Sequence, residues 1–275
     1  MIIGVVGLGL IGGSFAKAYH AEGHKVYAWN RSKKTLGFAL ISGDIDEELT
    51  EENVSECDLV VICLYPQASI EWIRSMAPHF GEKPVVIDAC GTKRDICETC
   101  FKIAEEHGFT FVGGHPMGGT KYSGFKYAKE DMFRGKPMLI VPPRYDDIEL
   151  YSKIKELLSP LNLGKLSITT AENHDRMIAF TSQLSHIVAS AYIKSPTAEN
   201  RQGFSGGTYK DMTRVAFLNA PMWAEIFITN KDYLLDELDS LIDNLGKYRE
   251  AISEENVEEL TELLADGTRR KERLG

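Results

Sequence analysis

The sequence predicts an α/β protein in which a mostly parallel sheet domain is followed by an all-α helical domain. In the first 170 residues, short β-rich runs alternate with stretches of helical character, a repetition expected of a parallel sheet with helices on both faces. Most of these runs are continuously apolar, as in strands that are covered on both sides. After about residue 170 only helix-like patterns follow. We therefore expect domains at residues 1–170 and 171–275.

The elements of the sheet domain are predicted in chain order. The strands are IIGVVG (2–7), KVYAWN (25–30), DLVVICL (58–64), PVVIDA (84–89), FTFVGG (109–114), PMLIVP (137–142) and KLSITT (165–170). The helical stretches between them are 10–22, 67–79, 93–107 and 146–158.

The helical domain begins with a long segment, 172–195, which has a helical period and contains no proline before Pro196. Further helix-like segments are GGTYKDMTRVAFLN, the run from Pro221 to about Ile252, and SEENVEELTELLAD, where Ser253 and Asn256 resemble a helix start. The charged tail TRRKERLG is expected to be a solvated terminus.

Composition limits the classes of function. The apolar fraction of 43% and the charged fraction of 26% are typical of a globular protein, and the net charge of −9 argues against a general nucleic-acid binder. No apolar run is long enough to span a membrane. All five cysteines lie in the first 100 residues, and their odd number suits reduced thiols in a cytoplasmic protein. Cys97 and Cys100 have the spacing of a redox or metal pair, but no second pair accompanies them, so helix packing is the favoured interpretation and no metal is expected.

The first predicted strand runs into a glycine turn that opens a helix. Gly7 permits the tight turn, Gly9 lets the backbone approach a pyrophosphate, and Gly12 lets the helix lie close to the strand. Amides at the helix start, including those of Leu10 and Ile11, would bind the phosphates. A glycine turn of purely structural role is the alternative, but the strand–turn–helix context favours a Rossmann-like dinucleotide site.

The end of the second strand indicates which dinucleotide is bound. A carboxylate there would bind the ribose of NAD, but the sequence has Asn30, Arg31 and Ser32 instead. Because a guanidinium binds phosphate well, we expect NADP, with NAD as the alternative; a solvated basic turn would look the same. Leu64 and Met117 complete the expected contacts of the cofactor.

The stretch GGHPMGGTKYSG (113–124) places one histidine among five glycines after an apolar strand. A neutral His115 at that edge of the sheet could accept the proton of a substrate hydroxyl while hydride leaves the same carbon. The glycines would keep other side chains away from the reacting face. Alternatively, His115 only caps a turn. Five basic residues between 115 and 136 would attract an anionic substrate, although a solvated loop would have the same composition.

Four blocks of this sequence together resemble the prephenate/arogenate dehydrogenase family of tyrosine biosynthesis. They are GLGLIGGSFA (7–16), GGHPMGGTKYSG (113–124), ENHDRMIAFTSQLSH (172–186) and YKDMTRVAFLNAPMW (209–223). The resemblance implies that His115 bonds the ring hydroxyl, that Arg214 binds a substrate carboxylate, and that His186 and Trp223 lie at the substrate. It further implies a homodimer formed through the helical domains.

The sequence also departs from the family pattern. Gln183 stands where the family has the first histidine of S-H-L-P-H, Gly91 stands beside Thr92 where a serine is common, and Lys121 replaces a frequent glutamate. If 172–195 is one helix, Gln183 and His186 share a face and point into the same cleft. Gln183, Thr92 and Lys121 are therefore included in the expected substrate site.

The resemblance implies NAD(P)-dependent oxidative decarboxylation of prephenate, a dianion, to 4-hydroxyphenylpyruvate. Three alternatives remain: arogenate as the substrate, a β-hydroxyacid dehydrogenase or imine reductase using Lys194 or Lys210, and an NADP-binding sensor without catalysis.

Overall fold

The computed structural model describes residues 1–120 and 122–275, and within them eight strands form one sheet. The order across the sheet is β3-β2-β1-β4-β5-β6-β7-β8. The strands are β1 (Ile2–Val6), β2 (Lys25–Trp29), β3 (Glu47–Glu48), β4 (Leu59–Ile62), β5 (Val85–Asp88), β6 (Thr110–Pro116), β7 (Pro137–Val141) and β8 (Lys165–Ile168).

Eleven α-helices accompany the sheet in the described part of the chain. Five belong to the sheet half: α1 (Leu10–Ala21), α2 (Lys33–Ile41), α3 (Pro66–Phe80), α4 (Arg94–His107) and α5 (Ile148–Leu158). Six follow β8: α6 (Ala171–Ile178), α7 (Ser185–Tyr192), α8 (Gly207–Thr213), α9 (Ala220–Thr229), α10 (Lys231–Ser253) and α11 (Val257–Leu274). The predicted fold class is thus confirmed, and all seven predicted strands and four predicted helices of the sheet half are present.

The order of the strands reverses beside β1, because β2 and β4 pair with its two edges in parallel. Such a reversal leaves a crevice at the carboxyl ends of the strands, where open α/β sheets bind their ligands. The glycine turn follows β1 directly and therefore lies at this crevice. Helix α2 and the two-residue edge strand β3 are additions to the predicted elements. Ser32 begins α2, because its side chain accepts a hydrogen bond from the backbone N–H of Thr35.

The expectation that His115 lies in a glycine loop is wrong, because His115 belongs to strand β6. β6 continues through Pro116, and its last four residues pair antiparallel with β7. The glycines permit close packing within the sheet: a Cβ on Gly114 would come 2.4 Å from the carbonyl oxygen of Asp88, and one on Gly113 would come 2.5 Å from Sγ of Cys97. These two glycines therefore make room for the neighbouring strand β5 and for helix α4.

The segment between β6 and β7 returns to α1. Phe125 and Ala128 pack so closely on this helix that a Cβ on Gly13 would lie 2.6 Å from the Phe125 ring. The backbone N–H of Lys129 donates to Oγ of Ser14 at 3.1 Å. The described part of this segment is thereby fixed to the helix that follows the glycine turn.

The helical half begins with an interrupted helix and not the continuous helix predicted for 172–195. Residues 179–184 form a π-helical turn between α6 and α7. Two side chains bond carbonyls four residues back in this region: Thr181 donates to Met177 and His186 to Ser182. The predicted helix start near Ser253 lies at Asn256, whose side chain caps α11.

Two apolar cores cover the two faces of the sheet. One contains Phe15, Tyr19 and Phe133, and the other contains Trp72, Phe80 and Phe111. Cys97 and Cys100 are buried free thiols on α4, which agrees with the packing interpretation. The basic residues of the tail are exposed on α11. None of the described helices is both long and apolar enough to span a membrane.

Candidate active site

The glycine turn has the geometry that a dinucleotide needs. Gly7 has a φ of +92°, a conformation that favours glycine. A Cβ on Gly12 would lie 1.9 Å from the carbonyl oxygen of Gly7, so only glycine allows α1 to approach β1 this closely. A Cβ on Gly9, by contrast, would meet no atom within 4 Å. The open space at Gly9 is where a pyrophosphate could approach the backbone.

The first turn of α1 is also free to receive an anion. Gly9 is its N-cap, no side chain caps the helix, and the first turn, with Leu10 and Ile11, contains no acidic residue. Because helix N-termini carry unsatisfied N–H groups and a partial positive charge, these residues fit a pyrophosphate. Leu64 packs beside the turn: a Cβ on Gly7 would come 2.7 Å from its Cδ2.

The three residues after β2 have different situations. Oδ1 of Asn30 accepts from the N–H of Leu8 at 2.9 Å, and its Nδ2 donates to the carbonyl of Ser32, so this side chain shapes the glycine turn. The hydroxyl of Ser32 caps α2. Arg31 is exposed and has no ion pair among the residues that the structure describes. Of the three, Arg31 has the side chain most available to an incoming phosphate.

His115 lies at the carboxyl end of β6, beyond the end of β5, and is partly buried. Since β6 is three strands from β1, about 14 Å of sheet separates its backbone from the glycine turn. Its Nδ1 is 2.9 Å from Nε2 of His174. Burial, followed by the nearby His174 and Lys93, lowers the pKa of His115 well below its usual value. The imidazole is therefore neutral at neutral pH, as a general base must be.

A chain of polar contacts extends from His115 to the start of α4. Nδ1 of the fully buried His174 is 2.7 Å from Oδ1 of Asp175. Asp175 also accepts from the backbone N–H groups of Lys93 at 2.7 Å and Arg94 at 3.0 Å. Burial alone would raise the pKa of Asp175, but the bonds from His174 and these amides hold it below the ordinary value. Asp175, on α6, thus bonds both the N-terminus of α4 and His174, the partner of His115.

Arg94 and Asn230 connect the helical half to this series of polar contacts. The guanidinium of Arg94 donates to both carboxylate oxygens of Asp232 and to Oδ1 of Asn230, and its Nε lies 3.4 Å from Asp175. Nδ2 of the buried Asn230 donates to the carbonyl of Asp175 at 2.8 Å and to Oε1 of Gln183 at 2.9 Å.

A buried ion pair lies behind the imidazoles. Lys93 and Asp88 are both fully buried, and Nζ of Lys93 bonds Oδ2 of Asp88. Burial pulls the pKa of Lys93 down, but Asp88, Cys90 and Cys97 more than offset this effect and leave it raised. Thr92, the preceding residue, is also buried. Thr92 follows β5 by four residues and is adjacent to Lys93 in the sequence. It was predicted to contact the substrate.

His186 and Trp223, which the sequence resemblance places at the substrate, contact each other. Their rings are stacked with centroids 4.0 Å apart. Nδ1 of His186 lies 2.8 Å from the carbonyl of Ser182, and burial, with a smaller effect of Arg214, lowers its pKa. Arg214 itself is exposed at the end of α8 and has no carboxylate partner in the described ranges. An unpaired guanidinium beside an uncharged imidazole can receive a carboxylate.

Gln183 does not share the open face expected for it beside His186. It is fully buried, its Oε1 is bonded to Asn230, and the π-helical turn changes its register. Its Nε2 is one of two buried side-chain atoms without a hydrogen-bond partner in the part of the chain that the structure describes; the other is the hydroxyl of Tyr209. Because Gln183 is fully buried, the expectation that it contacts the substrate is not supported by this geometry. Met117 is exposed beyond β6, and Lys121 lies outside the described residues.

Comparison with known proteins agrees with this geometry. Residues 15–165 match the family model "Prephenate dehydrogenase, nucleotide-binding domain", and residues 170–266 match "Prephenate dehydrogenase, dimerization domain". The chain belongs to the prephenate dehydrogenase family. It is accordingly an oxidoreductase with a nucleotide-binding domain, and the resemblance found in the sequence is confirmed.

The relatives of this protein within and around the prephenate dehydrogenase family are named for different dehydrogenase activities. The cyclohexadienyl dehydrogenase of Zymomonas mobilis is 28% identical over 94% of this chain and 91% of its own. The prephenate dehydrogenase of A. aeolicus, solved with hydroxyphenyl propionate and NAD⁺, has a TM-score of 0.85 and 26% identity over 100% of this chain and 98% of its own. Synechocystis arogenate dehydrogenase has a TM-score of 0.81 and 26% identity over the whole of both chains.

Three residues of the candidate site, His174, Asp175 and Asn230, are not predicted from the sequence. A polar pair such as His174 and Asp175, on the same helical face as buried Ile178, is nevertheless a recognisable signal. Nothing in the local sequence of Asn230 indicates that it would bond Asp175 and Gln183, because these contacts span 55 and 47 residues.

Proposed function

We propose that the protein catalyses the NAD(P)-dependent oxidative decarboxylation of prephenate to 4-hydroxyphenylpyruvate. The observation that carries the proposal is the neutral, partly buried His115 at the carboxyl edge of the sheet, on the side where the glycine turn opens. A neutral imidazole accepts a proton, whereas a charged one could not. Membership of the prephenate dehydrogenase family supports the same reaction.

In this reaction His115 accepts a hydrogen bond from the ring hydroxyl and takes or polarises its proton. Arg214 binds one substrate carboxylate, and His186 bonds another polar group of the substrate; Gln183, which is buried, supports the site through Asn230. Trp223 holds the ring of His186 in place by stacking. A dinucleotide held by Gly9 and the first turn of α1 would supply a nicotinamide ring as the acceptor of the hydride from the carbon that bears the hydroxyl. The ring carboxylate leaves as carbon dioxide, its bonding electrons enter the ring, and aromatisation drives the step.

A two-by-two activity matrix tests this proposal: prephenate and arogenate, each with NAD and with NADP. We expect turnover of prephenate, and absence of turnover in all four combinations would refute the proposal. His115→Asn should retain cofactor binding but lose about 10²–10⁴-fold in kcat, which is the usual contribution of a general base. Unchanged turnover of this variant would refute the role of His115.

Arogenate is the second candidate substrate, because the similarity to the Synechocystis arogenate dehydrogenase covers the whole chain. The β-hydroxyacid dehydrogenase and imine reductase alternative, with Lys194 or Lys210 as the catalytic group, is disfavoured because both halves of the chain match prephenate dehydrogenase models. A sensor without catalysis would bind the cofactor and fail the entire activity matrix.

For the cofactor we propose NADP, with NAD as the alternative. The exposed Arg31 has no ion pair in the described ranges and follows the strand at whose end the adenosine ribose is expected. The A. aeolicus relative was solved with NAD⁺, which supports the alternative. The ratio of kcat/KM for the two cofactors decides between them.

We further propose that 171–275 is the substrate and dimerisation domain of a cytoplasmic homodimer, whereas 1–170 binds the dinucleotide. Large apolar side chains of the helical half are exposed, including Ile228, Leu235, Ile242, Leu245, Ile252, Val257 and Leu264. A second copy of the chain would cover them. Sedimentation should give about twice the 30.7 kDa of one chain, and a monomer at micromolar concentration would contradict the dimer.

A further inference from the structure

The two ring nitrogens of His115 have different environments. Nδ1 is 2.9 Å from Nε2 of His174, whereas no protein atom in residues 1–120 and 122–275 bonds Nε2. Only one nitrogen of a neutral imidazole carries a proton, and the other has the lone pair. Whether His115 can act as a base toward a substrate at its open Nε2 therefore depends on which nitrogen is protonated.

His174 and Asp175 determine that choice through a sequence of donors and acceptors. An ionised carboxylate can only accept, so Nδ1 of His174, 2.7 Å from Oδ1 of Asp175, carries the proton. Neutral His174 then presents a lone pair at Nε2. The proton between the two imidazoles must belong to Nδ1 of His115, which leaves the lone pair of His115 at Nε2.

We propose that His174, held by Asp175, is a positioning residue that fixes His115 as the Nδ1–H tautomer and so directs the lone pair of Nε2 into the site. The proposal rests on the function proposed above. It extends that function by assigning a role to a residue that does not touch the substrate and that the family resemblance did not single out.

The surroundings favour the same arrangement. Asp175 accepts from the amides of Lys93 and Arg94 at the N-terminus of α4, where the helix dipole stabilises a negative charge. Nζ of Lys93 bonds Asp88. Burial lowers the pKa of His174, Lys93 lowers it further, and Asp88 has a smaller, opposite effect. With the opposite tautomer of His174, its Nδ1 lone pair would face an Asp175 oxygen at 2.7 Å without a proton between them.

The tautomer can be observed directly. Long-range ¹H–¹⁵N correlation spectra of protein labelled with ¹⁵N-histidine report which ring nitrogen is protonated, and a spectrum of His115→Asn assigns the signal of His115 among the seven histidines. We expect Nδ1 to be protonated and Nε2 unprotonated at neutral pH without any ligand. Protonation of Nε2 in the wild-type protein would overturn the proposal.

Two variants of His174 separate positioning from packing. His174→Gln keeps an acceptor, because the amide oxygen can occupy the place of Nε2; it should retain the Nδ1–H tautomer and most of the turnover. His174→Phe keeps a ring but removes the acceptor, so both tautomers of His115 should be populated. Its kcat should fall, by no more than the roughly 10²–10⁴-fold contributed by a general base, while KM for the cofactor stays unchanged.

The outcomes distinguish this proposal from the function on which it rests. If the wild-type protein turns over neither substrate, the proposed function fails, and the spectra still test the tautomer. If the wild-type protein is active and His174→Phe matches it in tautomer and kcat, the positioning role of His174 is refuted. Equal loss of kcat in the Gln and Phe variants, with an unaltered tautomer in both, would also refute it.

Discussion

Replacing Lys93 by Met should destabilise the protein more than any surface change. The ammonium of Lys93 bonds Oδ2 of Asp88, and neither side chain is exposed. Within the described residues, Asp88 keeps two backbone donors, the N–H of Cys90 at 2.8 Å and the N–H of Gly114 at 3.0 Å. The substitution thus leaves a buried carboxylate with two amide partners and without the ammonium that neutralises it.

The expected magnitude follows from that burial. Breaking a buried ion pair by removing one partner costs about 3–5 kcal/mol of unfolding free energy. At about 2–4 °C per kcal/mol for chains of 150–250 residues, the melting temperature should fall by roughly 6–20 °C. Asp88→Asn in the same chain should recover part of this loss, because the uncompensated charge disappears.

Calorimetry on the single and double variants measures the effect. Lys102→Met is the matched control, since Lys102 pairs with Glu98 on the exposed face of α4 and its loss should leave the melting temperature unchanged within error. A decrease of less than about 1 kcal/mol for Lys93→Met would show that the carboxylate is not left uncompensated. A double variant less stable than the single one would contradict the same reasoning.

Three further predictions concern the site. Because the pKa of His115 lies well below its usual 6.5, kcat/KM should stay constant as pH falls through 6.5 and decline only at lower pH; a decline centred above 6.5 would refute the assignment. Gly9→Ala, whose Cβ meets no atom, should keep the melting temperature but weaken dinucleotide binding, whereas Gly12→Ala, with its Cβ 1.9 Å from the oxygen of Gly7, should lower both; fluorescence titration and calorimetry compare them. Arg31→Ala should raise KM for NADP and leave that for NAD unchanged, and equal changes would remove Arg31 from the phosphate site.

The fold was largely predictable because the signals for it are local. Continuous apolar runs such as LVVI at 59–62 indicate buried strands, and the glycine spacing at 7–12 indicates a strand–turn–helix unit. The edge strand β3 is not predictable from the sequence. It consists of two glutamates that pair with β2, and two residues are too few to show an apolar or alternating strand pattern. The π-helical turn was missed because its sequence, AFTSQL, keeps an ordinary helical period.

The position of a candidate site residue was predictable where the sequence around it shows the element that carries it. His115 among glycines at a strand end is such a case. The buried state of Gln183 was not, because it depends on Asn230, which lies in the turn between α9 and α10. The same holds for Arg94, which looks like an ordinary solvated residue in the sequence but bonds Asp232, 138 positions away. Contacts between distant segments carry no local signature.

The antiparallel return of the chain from β6 to β7 has a consequence for how this enzyme can change. A strand parallel to β6 would have to begin at the opposite end of the sheet, so the chain would first have to cross the length of the strands. Here the connection from β6 to β7 begins and ends at the same end of the sheet. Since Phe125 packs against Gly13 and the same connection begins at the end of β6, next to His115, a substitution that shifts α1 should also displace the strand that carries His115. Substitutions in α1 should therefore change dinucleotide binding and reactivity together.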